Sequence, residues 1–164
     1  MQDMPQIQYE KIDVGGENPQ SASLTAPLLK GLNAIEAIKD EIKKNKILYY
    51  YINKPYICVF SEKDNKSYCI ENILEFKDIF EDESILKCGY KQKEDYILLK
   101  QLGIDGKNLM FDTQIAGYIL NSNINKYGVE YLANEYLNFD IDKYISDIVG
   151  VPRWSSAKCT IKFI

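Results

Sequence analysis

The chain has 164 residues, 46% of them hydrophobic, which suits one domain with a single core and leaves no room for a second large one. Its 20 basic and 24 acidic residues give a net charge of -4, which excludes a global positive field drawing the protein to nucleic acid or to a membrane surface. Histidine is absent, so Ser-His and Cys-His nucleophile pairs are excluded, and any catalysis falls to carboxylates, lysine or tyrosine.

Residues 1–33 include "VGGENPQSASLTAPLL", rich in Gly, Pro and Ser without a sustained period, and read as a linker or flexible arm. From Ala34 the stretch "AIEAIKDEIKKN" puts Ile35, Ile38 and Ile42 on one helical face, with Lys43 and Lys44 near the C-terminal end where the macrodipole favours them. "KILYYYIN", "YICVF" and "KSYCI" are short runs rich in β-branched and aromatic residues and predict a three-strand antiparallel meander. "ENILEFKDIF" reads as helical, "SILKCG" as a buried strand, "KQKEDYILLKQL" as a helix, "NLM" as a brief strand and "DTQIAGYILN" as another helix. In "VEYLANEYLN" a last helix is expected to bury Val129, Leu132 and Tyr136. A meander followed by alternating strand and helix predicts a mixed α/β sheet. After Gly150 the tail "VPRWSSAKCTIKFI" loses periodicity; it either packs on the core or is a non-native end.

Cys58, Cys69, Cys88 and Cys159 lie far apart without CxxC spacing, so a zinc site would need all four together. No apolar run approaches the roughly 20 residues of a membrane span, and "MQDMPQIQYEK" lacks the basic start and apolar stretch of a secretory signal. The expectation is a cytoplasmic protein with reduced thiols.

Three strings carry a resemblance. "FDTQIAGYILNSN", Phe111 to Asn123, "GVEYLANEYLNFDI" and "ILKCGYKQKEDYILLKQLGI" occur in an order and spacing similar to the 3′-5′ proofreading exonuclease domain of bacterial family A DNA polymerases, the DNA polymerase I type. The resemblance covers about residues 34–145, and a domain over 34–150 followed by an irregular tail over 151–164 is expected. It implies a ribonuclease H-like α/β fold, a polymerase domain in full-length relatives, DNA as partner and no membrane. In active members it implies two-metal hydrolysis, with Mg²⁺ or Mn²⁺ ions about 3.5–4 Å apart held by several carboxylates.

The residues for that chemistry are incomplete. The family's first motif, Asp-x-Glu on the opening strand, falls where this chain has Tyr49, Tyr50, Tyr51 and Asn53, with no acidic residue from Lys46 to Ser61. The second, Asn-x-x-x-Asp, is matched only by Asp95, with Lys91 in the asparagine position; Asp95 is a remnant metal-ligand candidate or a solvated helix residue. The third, Tyr-x-x-x-Asp, has a literal match in Tyr136 to Asp140, but inside the wrong helix. The expectation is therefore a degenerate, C-terminally truncated domain without cofactor, whose residual DNA affinity is weak. Two alternatives stand beside it: an Mg²⁺-dependent exonuclease using Asp95, Asp112 and Asp140 or Asp142, or a module stacking single-stranded nucleic acid on its tyrosines and phenylalanines with lysines such as Lys39, Lys43 and Lys46. Asp112, directly before a helical pattern, is expected to be an N-cap.

Overall fold

The computed structural model describes residues 9–12, 25–63 and 65–138, with side chains from residue 34 onward. Six strands and five helices follow one another as β1 (Tyr9–Ile12), α1 (Thr25–Asn45), β2 (Ile47–Asn53), β3 (Tyr56–Ser61), β4 (Lys66–Ile70), a 3-10 turn (Ile73–Phe76), α2 (Lys77–Glu81), β5 (Leu86–Gly89), α3 (Gln92–Gln101), β6 (Leu109–Asp112), α4 (Thr113–Leu120) and α5 (Val129–Leu137). The strands form one sheet in the order β1-β4-β3-β2-β5-β6. β2, β3 and β4 are the expected antiparallel meander, with Tyr50 opposite Val59 and Cys58 opposite Cys69. β5 and β6 add in parallel on the other side of β2.

Two elements fall inside the stretch expected to be an arm. Helix α1 begins at Thr25, nine residues before Ala34, and Tyr9–Ile12 adds in parallel to β4. Pro27 lies in the first turn of α1, where its missing N–H would have had no helical partner in any case, and Gly31 costs an interior helix only about 1 kcal/mol. Both look like helix breakers in sequence, and the packing of the rest of α1 outweighs them. The tail 151–164 lies outside the described residues.

Strand alternation sorts the side chains. Leu48 and Tyr50 point to the face carrying the main core, with Ile57, Val59 and Ile70 beside them and Ile35, Ile38, Ile42, Phe76 and Phe80 above. Tyr50 meets Phe80 edge to face, ring centroids 5.1 Å apart. On the opposite face Tyr49, Tyr51 and Phe60 pack around Cys58 and Cys69. These two cysteines, brought into register across β3 and β4 with Cα atoms 4.1 Å apart, form a disulfide, which corrects the expectation of reduced thiols for this pair; Cys88 is free and buried.

In α5 the buried residues are Val129, Leu132 and Ala133, whereas Tyr136, expected to be buried, is largely exposed. Tyr136 lies on the same face in the last turn of α5, and the close contact of that face is with α4. Gly117 lies so close to Leu132 that a Cβ at residue 117 would come within 2.5 Å of a Leu132 methyl. Among the described residues no helix is long and apolar enough to cross a membrane.

Lys87 on β5 is fully buried, and its ammonium donates to the carbonyl of Asp82 at the C-terminal end of α2. Burial lowers its pKa from 10.5 to about 8. Between those values the unfolded chain binds the extra proton, so the Lys87 contribution makes stability rise with pH from about 8 to 10.5. Lys87→Met removes this increment, on the order of 2 to 3 kcal/mol, because each tenfold change in proton affinity is worth about 1.4 kcal/mol. The check is denaturant unfolding of both proteins from pH 7 to 10.5; parallel stability curves would contradict the assignment.

Candidate active site

The site lies beside β2 at the C-terminal ends of β5 and β6, where the chain turns from strand into α3 and α4. At residue 89 a Cβ would approach the Tyr50 ring to 2.9 Å, so Gly89 is what lets that ring extend beneath the start of α3. Tyr50 is fully buried, and its hydroxyl has no hydrogen-bond partner among the described residues. Burial, and then the nearby Asp95 carboxylate, hold its pKa well above the ordinary value. Tyr51, half-buried, is raised first by burial and then by Asp95 and Glu130. Tyr90 is pushed up to about 12, mainly by burial, and donates to the Tyr127 carbonyl at 3.1 Å. At neutral pH all three phenols are uncharged.

Asp95 is buried rather than solvated. It shares the inner face of α3 with Gln92 and Leu99, at spacing i, i+3 and i+7, and that face packs toward the sheet. Its Oδ2 has no hydrogen-bond partner among the described residues, and desolvation raises its pKa from 3.8 to about 7. The Tyr50 hydroxyl lies near enough to oppose the rise, yet the two do not reach hydrogen-bonding geometry. Gln92, which shares this inner face, is anchored by its side-chain amide donating to the Lys87 carbonyl at 2.9 Å. The sequence signal for a buried Asp95 was present in that helical spacing, but the surrounding Lys91, Lys93 and Glu94 masked it.

Asp112 ends β6 and caps α4, its Oδ1 accepting from the backbone N–H of Gln114 at 2.8 Å and of Ile115 at 3.3 Å. The same carboxylate also accepts from the N–H of Lys91 at 3.2 Å and of Gln92 at 2.7 Å. Lys91 stands at the cap position of α3 in the left-handed conformation and offers no side-chain cap of its own. A single aspartate thus closes two helix N-termini, and its lone pairs are directed to amides rather than to the space around Asp95.

Two divalent cations need several converging carboxylates. Among the described residues no group of three or more His, Cys, Asp or Glu side chains is placed to hold a metal ion. Asp95 stands among neutral phenols, and Asp112 is committed to backbone. Asp140 and Asp142 lie outside the described residues. The described residues do not by themselves fit a two-metal centre.

Residues 34–144 match the family described as DNA polymerase I, ribonuclease H-like domain. The chain belongs to that family. A curated relative, DNA polymerase I of Rhizobium leguminosarum, is 30% identical over 100 residues, which are 61% of this chain and 9% of the relative. The chain therefore spans a small part of the protein it matches. Among solved structures, the domain resembles Trypanosoma brucei RNase D in complex with GMP, with a TM-score of 0.59 and 12% identity over 94% of this chain and 55% of that one. It also resembles the polymerase domain of Pol1 from M. smegmatis in complex with DNA primer-template and dNTP, with a TM-score of 0.53 and 13% identity over 71% of this chain and 22% of that one. At these identities the structural likeness bears on the fold alone, and it agrees with the ribonuclease H-like sheet described above.

Proposed function

We propose that this domain keeps the exonuclease fold of a DNA polymerase I-type protein as a structural part and does not hydrolyse DNA. The observation that carries the reading is the site itself: Tyr50, Tyr51 and Asn53 where the family's carboxylate pair would stand, and one buried carboxylate, Asp95, with an unpartnered oxygen. Neutral phenols supply no negative charge to hold divalent ions, so no hydrolytic step can be built from the described residues. In this reading DNA and a polymerase domain are partners of the longer protein, and this part contributes shape to it.

The exonuclease alternative required Asp112 as a ligand, and four backbone donors already occupy its carboxylate. The nucleic-acid alternative required exposed aromatics near free cations. Tyr50 and Tyr68 are in the core, Lys39 and Lys43 both pair with Asp78, at 2.9 and 3.0 Å, and Lys46 donates to the Ser84 hydroxyl at 2.9 Å, while the exposed Tyr96, Phe111 and Tyr118 belong to α3, β6 and α4.

Incubated with a labelled single strand and millimolar Mg²⁺ or Mn²⁺, the protein is expected to release no 3′ nucleotides. Its melting temperature is expected not to rise with either ion, since a ligand bound only to the folded state would raise it. Chelator-sensitive nucleotide release, or a metal-dependent rise in melting temperature that Asp95→Asn abolishes, would overturn the proposal.

A further inference from the structure

From Ile115 to Leu120 helix α4 reads Ile-Ala-Gly-Tyr-Ile-Leu, apolar on every side, a pattern of helices that neighbours cover all round. Yet the residues it buries are Thr113 and Gly117, while in its last turn Tyr118 is 55% exposed, Ile119 74% and Leu120 69%. The Thr113 hydroxyl donates to the Gly89 carbonyl at 3.1 Å, and Gly117 closes on Leu132 of α5. α4 therefore cannot roll to turn its last three side chains inward without losing a buried hydrogen bond and driving a side chain into Leu132.

The described chain ends close to this turn. Leu137 stands about 7.5 Å of helix beyond Leu132, is exposed like Tyr136 before it, and is followed by Asn138, whose left-handed conformation ends α5. In the residues that follow, Ile141, Tyr144, Ile145 and Ile148 recur at spacing i, i+3, i+4 and i+7, with Asp142, Lys143, Ser146 and Asp147 between them. Asp140 precedes this run and Gly150 closes it. A capping side chain, an apolar stripe at that spacing and a final glycine predict an amphipathic helix over 141–149. So short a helix is marginal in water unless its stripe is buried against something. One chain thus carries an uncovered apolar turn and an apolar stripe in need of cover, and the link from Asn138 to Asp140 spans up to about 10 Å.

We propose that residues 141–149 of this chain seat their apolar side on the last turn of α4, with Ile145 and Ile148 against Ile119 and Leu120. Asp142, Lys143 and Asp147 are then left to water. The contact is independent of any nuclease activity.

The test compares the full chain with Ile119→Gln, Ile148→Gln and the double variant by thermal unfolding. Each single substitution is expected to lower the melting temperature by about 5 °C, and the double variant by about the same amount rather than by about 10 °C, because the two side chains lose one shared contact. Glutamine is uncharged and a good helix former, so where either isoleucine faced water the change would be close to zero. In proton–nitrogen correlation spectra, Ile148→Gln is expected to displace the amide signals of Tyr118, Ile119 and Leu120, which lie far from residue 148 in the chain. Unchanged melting temperatures, additive losses in the double variant, or undisturbed signals from that turn would each overturn the proposal. So would a light-scattering mass of two chains that Ile119→Gln returns to one, which would give the face to a second copy.

Discussion

Asp95→Asn is expected to raise the melting temperature at pH 8 by roughly 5 °C and to leave it nearly unchanged at pH 3.5. The cause is burial. The carboxyl lies on the inner face of α3, and one oxygen has no partner among the described residues, so ionising it inside the fold costs more than ionising it in water. Desolvation therefore lifts its pKa from 3.8 to about 7. Across that window the folded chain holds a proton that the unfolded chain has released, so the contribution of this residue makes stability fall as pH rises from 3.8 to 7. Below the window both states are protonated and there is no penalty. Above it the penalty is complete and on the order of a few kcal/mol, since each tenfold loss of acidity corresponds to about 1.4 kcal/mol. The asparagine amide is neutral at every pH and close to isosteric, so it escapes most of that cost. A gain of about 2 kcal/mol corresponds to roughly 5 °C for a domain of this size. Melting curves of both proteins at pH 3.5, 5, 6, 7 and 8 are the measurement. A variant less stable than the parent at pH 8 would show that the carboxylate makes a stabilising contact there, and this account of the site would fail.

The sheet was legible from residues because its signals are local. "ILYYYIN", "YICVF" and "KSYCI" carry strand-forming side chains in runs of ordinary strand length, and the short links between them leave only an antiparallel meander. The face of α1 that packs on the sheet was equally plain in Ile35, Ile38 and Ile42. What escaped were outcomes decided by distant partners. The first turns of α1 hold Pro27 and Gly31, whose local cost is outweighed by packing that no window of neighbouring residues contains. Tyr136 shares the i, i+3, i+7 face of α5 with Val129 and Leu132 but stands in the last turn of the helix, and it is exposed there while Leu132 packs against Gly117 of another helix. At the site, the absence of any acidic residue from Lys46 to Ser61 could be read directly. The burial of Asp95 could not be separated from the charged residues around it until α3 was set against the sheet.

Asp112 combines a local role with a distant one, and the second governs the size of its effect. The sequence places a hydrogen-bonding side chain just before a helix, which predicts an N-cap worth about 1 kcal/mol. In the fold the same carboxylate also reaches the first amides of α3, twenty and twenty-one residues back in the chain. Asp112→Ala therefore leaves unpaired donors at two helix starts, and the expected loss is about 3 kcal/mol, near the sum of two strong caps. Asp112→Asn retains an oxygen for the amides of Gln114, Ile115 and Lys91 but turns an amide group toward the N–H of Gln92, so an intermediate loss is expected. Hydrogen exchange separates the two roles: in Asp112→Ala the first turns of both α3 and α4 should exchange faster, whereas a simple cap would affect α4 alone. If the proposal for the site is right, neither variant changes the response of the folded protein to Mg²⁺ or Mn²⁺. A selective loss of metal binding in Asp112→Ala would instead make this aspartate a ligand and return the domain to the nucleases.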